Sequence, residues 1–225
     1  MYKIGPATSS PWARLLQGNT RWVEGRSAAD ADRGAARRAE ISRSQNPFAL
    51  VLGCSDSRVP AEILFDQGLG DLFVVRTAGH ALDAAVIGSV EYAVDVLRVS
   101  LIVVLGHEEC GAVAAASRIV DEGKVPPGYI RDVAERITPN VLRARHAGAA
   151  SGAEVSGLHA AYTIEQLRQR SPLVDVAVWR GSIEAIPALY SLDTGVVTEV
   201  RPMTVTYVPD DVYASVSSNF ASGTI

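Results

Sequence analysis

A chain of 225 residues, 48% hydrophobic and 20% charged, is long enough for one substantial core and fits a single α/β domain. Its net charge of −4 provides no electrostatic footprint for nucleic acid, and no apolar run reaches the roughly 18 residues that a membrane helix needs. Two cysteines are too few for a disulfide scaffold and residues 1–10 lack the apolar run of a signal peptide, so a reducing cytoplasm is the expected compartment.

Taken in order, Ser10-Pro11 reads as a helix cap with proline at the first helical position. Trp12, Leu15, Leu16, Trp22 and Val23 then form a discontinuous apolar stripe. Residues 1–46 are expected to be an N-terminal helical arm, laid on a partner subunit or on the chain's own core. Within it, residues 27–43 read as loop then exposed helix. Arg33, Arg37, Arg38 and Arg43 lie there among Asp30, Asp32 and Glu40, the pattern of a solvated face.

Residues 48–52, introduced by Asn46-Pro47, form a short apolar run and read as an inner strand of a parallel sheet. A short helix over 59–65 opens on Pro60, a second strand spans 72–75, and residues 83–98 carry apolar positions at helical spacing. A third strand over 101–105 leads through Cys110-Gly111 into an alanine-rich helix to Val120. Three strand–helix units in succession argue for parallel strands with right-handed crossovers. Further on, 129–145 reads as helix with a break at Pro139, 147–157 as a small-residue loop, and 158–170 as helix stopped by Ser171-Pro172. Residues 183–192 and 196–200 read as strands at the sheet's edge, joined by a turn at Asp193-Thr194-Gly195. The expectation is a single α/β domain over 47–201 with a mainly parallel central sheet flanked by helices. The tail 202–225 shows no clear period.

Two polar clusters sit where strands end: Gly53-Cys54-Ser55-Asp56-Ser57-Arg58 after the first and Gly106-His107-Glu108-Glu109-Cys110-Gly111 after the third. Parallel order puts both on the sheet edge where open α/β folds place their chemistry. Cys54, His107 and Cys110 supply two thiolates and one nitrogen, a donor set suited to zinc. Asp56 either completes a tetrahedron or leaves that position to water. Arg58 bears on the choice, because a bidentate guanidinium competes with the metal for the carboxylate. A Cys54–Cys110 disulfide is the plain alternative, but it leaves Asp56, Arg58 and His107 without a role. Glu108 and Glu109 read as loop charge rather than zinc ligands, His80 as a hydrogen-bonded structural histidine in preference to a proton relay, and His146 and His159 as structural or surface groups far from the motifs.

Together, Cys54-Ser55-Asp56-Ser57-Arg58 and His107-x-x-Cys110-Gly111 resemble the signature of the β-class carbonic anhydrases. The likeness continues through residues 65–71, 73–79, 91–94 and 110–113, and covers roughly residues 12–200. The resemblance implies one zinc ion per chain on Cys54, His107 and Cys110, with Asp56 a fourth ligand only in a closed state and otherwise paired with Arg58. It implies reversible hydration of carbon dioxide to bicarbonate and a proton. Gln45 matches the family's substrate-orienting glutamine, Phe73 and Tyr92 its pocket aromatics, and Ala78 its small or aliphatic wall. A homodimer or dimer of dimers is implied, with active sites at the subunit boundary. Two features depart from much of the family. Val51 stands where members with an allosteric bicarbonate pocket carry tryptophan, and Thr77 and His80 replace common asparagines. The rival readings are a hydrolase of carbonyl sulfide or carbon disulfide on the same site, and a non-catalytic protein with structural zinc. Arg58 speaks against the second, since a structural site needs no competitor for its fourth ligand.

Overall fold

The structure, a computed structural model, describes residues 10–27 and 33–201. Positions 1–9, Asp30, Asp32 and the tail 202–225 lie outside the described residues. Among the described residues five strands make one sheet: β1 (Ala49–Cys54), β2 (Leu72–Thr77), β3 (Leu101–His107), β4 (Glu184–Tyr190) and β5 (Val197–Glu199), in the order β2-β1-β3-β4-β5. The first four are parallel and β5 returns antiparallel to β4. Every residue of β1 and β3 is buried, which is why their sequences are continuous apolar runs rather than alternations.

Side chains alternate between the two faces. Ala49, Val51, Leu101, Val103 and Leu105 pack on one side with Trp12 and Leu15 of α1 (Pro11–Val23), Val113 and Ala116 of α5 (Gly111–Glu122), and Ile137 and Val141 of α6 (Tyr129–His146). Leu50, Leu52, Ile102 and Val104 pack on the other with Val86, Val90 and Val94 of α4 (Ala84–Asp95) and Val174 of α8 (Pro172–Trp179). Helix α7 (Gly152–Arg170) contributes to both, through Val155 and Tyr162 on the first side and Ala160 and Leu167 on the second. Two short helices, α2 (Ala35–Glu40) and α3 (Ala61–Leu64), complete the fold. Among the described residues no helix is long and apolar enough to cross a membrane.

The chain runs from β1 to β2 on one flank, then back past β1 to β3 on the other. That reversal is a topological switch point, and the crevice it opens lies at the carboxyl ends of β1 and β3. Register makes the placement exact enough to matter. Gly53 is opposite Leu105, so Cys54 and His107 emerge from neighbouring strands at the same edge.

Helix α1 covers the chain's own sheet. Besides Trp12 and Leu15, Asn19 is buried and donates to the carbonyls of Leu64 (3.1 Å) and Gly195 (2.9 Å), while its Oδ1 accepts from the Val197 amide at 2.9 Å. One amide therefore ties α1 to α3 and to the β4–β5 hairpin. The arginines of the next segment are also engaged. Arg33 donates to the carbonyls of Glu62 and Gln67, and Arg37 to that of Leu69. Their expected solvated face is partly a strap onto the loop before β2.

Three elements differ from the sequence expectation. Helix α7 begins at Gly152, inside the expected loop, because Ser151 and Glu154 form a reciprocal capping box. Helix α8 follows α7 at once, since Ser171 and Pro172 serve as both the stop and the next start; the Ser171 hydroxyl accepts from the Val174 amide at 3.2 Å. Helix α6 runs through Pro139 unbroken. Pro139 and Glu135 both face solvent, so the carbonyl that loses its donor is within reach of water.

Gly18 sets how closely α1 can approach. A Cβ there would stand 1.7 Å from the Phe65 carbonyl oxygen, a backbone atom that cannot swing aside. Gly18→Ala is expected to lower stability by about 3 kcal/mol or more, read as a shifted urea midpoint with an unchanged slope.

Candidate metal centre

Cys54 closes β1, His107 closes β3, and Cys110 caps α5 four residues after Gly106. Their ligand atoms all lie within 4.8 Å of one another, and the two sulfurs are 4.0 Å apart. No disulfide joins them; both cysteines are free and buried. Two thiolates at about 2.3 Å from one ion at a tetrahedral angle would be roughly 3.8 Å apart, so the spacing fits zinc.

A second observation supports the fit. The His107 ring is 1% exposed, and its Nδ1 lies 2.6 Å from the Glu108 carbonyl oxygen. A carbonyl only accepts, so Nδ1 carries the hydrogen and Nε2 is left with a bare lone pair. That Nε2 is buried and has no hydrogen-bond partner among the described residues. An orphaned lone pair beside two sulfurs is what a metal ligand looks like.

Asp56 stands outside this group of three, with both its oxygens on Arg58. Arg58 Nε donates to Oδ1 at 2.9 Å and an Nη to Oδ2 at 2.7 Å, and the Arg58 amide adds a third bond to Oδ1 at 2.9 Å. These bonds, Arg58's side chain first among them, hold the Asp56 carboxyl well below the usual carboxylate range. This is the open arrangement of the two that the sequence allows.

The surrounding backbone is fixed from several directions. Arg76 donates to the carbonyls of Cys54 (2.8 Å) and Asp56 (2.6 Å). The Cys54 sulfur accepts from the amides of Gly79 (3.3 Å) and Asp56 (3.4 Å). The Cys110 sulfur faces the Ala112 and Val113 amides in the first turn of α5. The pair holds its protons unequally. The hydrogen bond from Cys110 chiefly holds the Cys54 thiol low, and the same bond together with burial pushes Cys110 up. Burial pulls the His107 ring down, but the Cys54 sulfur, the Glu108 carbonyl and the Asp56 carboxylate raise it above its ordinary value, so Nε2 faces a negative sulfur that favours a cation there, proton or metal. Glu108 lies outside the group of three, and its carboxylate accepts from Ser191 Oγ at 2.9 Å and the Leu192 amide at 3.2 Å.

The expected pocket residues divide. Ala78 is exposed, next to Gly79 in the one-turn 3-10 helix Ala78–His80, and so borders the cluster. Phe73 and Tyr92 are near each other, ring centroids 6.1 Å apart, with Tyr92 45% exposed. They pair at the opposite end of β2, where Phe73 is in register with Leu50, roughly 13 Å along the strand from Cys54. Gln45 is exposed in the loop leading into β1, beyond the other end of that strand. Within one chain these three do not meet Cys54, His107 and Cys110.

Sequence reasoning misplaced two histidines. His159, expected far from the motifs, has its Nε2 2.9 Å from the carbonyl oxygen of Gly79, whose amide reaches Cys54. His80 is not hydrogen-bonded. Its ring stacks on His159 at 4.3 Å, and neither of its nitrogens has a partner among the described residues. His146, by contrast, is exposed at the end of α6.

A family model for carbonic anhydrase matches residues 49–197. The chain belongs to the β-class carbonic anhydrases. A carbonic anhydrase of Mycolicibacterium smegmatis is 50% identical over 184 residues, 82% of this chain and 89% of its own length. Carbonic anhydrase 2 of Mycobacterium tuberculosis is 48% identical over 184 residues, 82% of this chain and 88% of its own. The β-carbonic anhydrase of Coccomyxa, solved with acetazolamide, superposes with a TM-score of 0.65 at 25% identity, covering 96% of this chain and 100% of that one. The single α/β domain with a mainly parallel sheet flanked by helices, expected from the sequence, is thus the fold observed.

Burial pulls His159 down to about 4 and His80 well below its ordinary value. Both rings are neutral in the fold but take up protons when unfolded, so the unfolded state binds more protons below the ordinary histidine value. Stability should be level near pH 7 and fall as pH drops from 6.5 toward 4, by about 3 kcal/mol from His159 alone. Urea midpoints across that range test this, and His159→Gln should flatten the slope.

Proposed function

We propose that this chain is a zinc enzyme that reversibly hydrates carbon dioxide to bicarbonate and a proton, acting as a homodimer in the reducing cytoplasm. The observation that carries the reading is the bare Nε2 of His107 beside two free sulfurs, with Asp56 held off by Arg58. Cys54, His107 and Cys110 would hold the ion. Zinc there would supply the Lewis acidity that brings the ionisation of water into the neutral range. The mycobacterial relatives named above are carbonic anhydrases, and two ligand thiols suit a reducing compartment.

The chain's own groups do the rest. Asp56 is kept ionised by Arg58 and can only accept hydrogen bonds. It therefore accepts a hydrogen bond from the attacking oxygen and so turns that oxygen's lone pair toward the carbon of carbon dioxide. Arg58 has a second task, which is to occupy the carboxylate that would otherwise close the fourth position on the metal. The released proton passes to buffer.

Removing the competitor separates this reading from a structural-zinc one. Arg58→Ala is expected to keep zinc, with Asp56 added as an oxygen ligand in X-ray absorption, and to lose at least about 100-fold in stopped-flow carbon dioxide hydration. Wild-type rates in that variant would defeat the mechanism. A wild-type protein that hydrolyses carbonyl sulfide and leaves carbon dioxide untouched would transfer the reading to the other substrate.

Gln45, Phe73 and Tyr92 are exposed or half-buried and remote from the metal ligands of their own chain. The dimer reading has a second copy bring them to the site, where Gln45 would donate to a substrate oxygen and the two aromatics would line an apolar pocket. Mixing decides it. Gln45→Ala and His107→Ala proteins, each inactive alone, should recover activity when unfolded and refolded together, because the hybrid contains one intact composite site. No recovery would place Gln45 in its own chain's site.

A further inference from the structure

We infer that His159 is a positioning residue for the Cys54 sulfur, acting through Gly79 and oriented by Asn140. The inference rests on the metal-site reading above and concerns groups buried behind it. Gly79 donates its amide hydrogen to the Cys54 sulfur at 3.3 Å. It does so from left-handed backbone, φ 58 and ψ 29, at the most permissive residue type there is. Its Cα is boxed in, since an added Cβ would lie 2.7 Å from Ile137 Cδ1 and 2.8 Å from Ala112 Cβ. Sterics thus demand glycine at a position where the hydrogen bond demands a fixed backbone. Something else must supply the rigidity.

His159 supplies it. Its Nε2 lies 2.9 Å from the Gly79 carbonyl oxygen, which gives Gly79 a partner on each of its two peptides. A carbonyl accepts only, so Nε2 must bear the hydrogen. In the neutral ring Nδ1 is then an acceptor, and Asn140 presents its Nδ2 to it at 3.0 Å. Turning the Asn140 amide over would require hydrogen on Nδ1 and would leave two lone pairs facing each other across the Gly79 contact. Gln166 Oε1, 3.3 Å from the same Nδ2, accepts its other hydrogen. The direction of every bond is therefore fixed from Gln166 through Asn140, His159 and Gly79 to Cys54. The His80 ring stacked at 4.3 Å confines the plane of His159. A hydrogen bond aimed at a metal thiolate lowers the energy of its lone pairs and holds the ligand in place, the role that outer partners play around metal sites.

Cadmium-113 in place of zinc, with nitrogen-15 labelling, reads this directly, because a hydrogen bond to a metal-bound sulfur carries scalar coupling from the amide proton to the metal. The wild-type protein is expected to show His159 protonated on Nε2 and couplings from the Gly79 and Asp56 amides. His159→Phe, which keeps a ring against His80, should lose the Gly79 coupling, keep that of Asp56, and bind the metal about tenfold more weakly. His159→Gln retains a donor and should restore the coupling. Asn140→Leu, which releases the tautomer, should weaken it. A wild-type ring protonated on Nδ1, or a Gly79 coupling that survives His159→Phe, overturns the inference; the first needs no variant to fold. Normal cadmium uptake on the three ligands without a Gly79 coupling overturns it alone. No uptake at those ligands overturns the metal-site reading and this inference with it.

Discussion

Two sulfurs 4.0 Å apart at the buried edge of a sheet are the constraint that the rest of this structure answers to. Thiolates that close repel, and neither can sit in a core without a cation and hydrogen-bond donors. The fold provides donors from both sides. Cys54 faces the amides of Gly79 and Asp56, and Cys110 faces the first turn of α5. Strand order supplies the geometry, because only neighbours across the switch point can bring the ends of β1 and β3 together. The loops are then pinned where they leave the strands: Arg76 holds the carbonyls of Cys54 and Asp56, and Glu108 anchors the segment after His107 to Ser191 and Leu192. The polar bonds are numerous at this edge because a donor set with a closely defined spacing tolerates little backbone movement.

The parts of this arrangement legible in the sequence are those written in short range. Fully buried parallel strands announce themselves as apolar runs, and polar residues just after such runs mark the chemical edge. Asp56 and Arg58 are two residues apart, so their pairing is local as well. The start of α7 was hidden because Ala147, Gly148, Ala149 and Ala150 look like loop, and only the Ser151–Glu154 box shows where the helix begins. Helix α8 was hidden because a stop and a start share Ser171-Pro172. Asn19 and His159 were illegible for a deeper reason. Each works through backbone carbonyls or amides far away in sequence, and a backbone group leaves no mark in the amino-acid code. A signal did exist for His159. It lies among small residues on a helix that also carries Gly157 and Ala160, the composition of a helix pressed tightly against a sheet, where a polar ring needs a partner.

The site is also unevenly distributed along β2. Its carboxyl end passes Thr77 to Ala78 and Gly79 beside the metal ligands, while its amino end carries Phe73 against Tyr92. Among the described residues β2 is an edge strand, with one side paired to β1 and the other open. An edge of this kind invites pairing with another chain. A two-fold axis across it reverses the strand direction, so the first residues of one copy's β2 would stand beside the last residues of the other's. The aromatic pair would thereby be carried from the wrong end of its own strand toward the right end of its neighbour's. Within one chain the separation of Phe73 and Tyr92 from Cys54 is a defect; across a two-fold axis it is the spacing that a composite site requires. The same operation would exchange Gln45 as well, which is exposed beyond the amino end of β1. In the proposed dimer, one symmetry element would thus reconcile three exposed or half-buried residues with a candidate metal centre that none of them touches in its own chain.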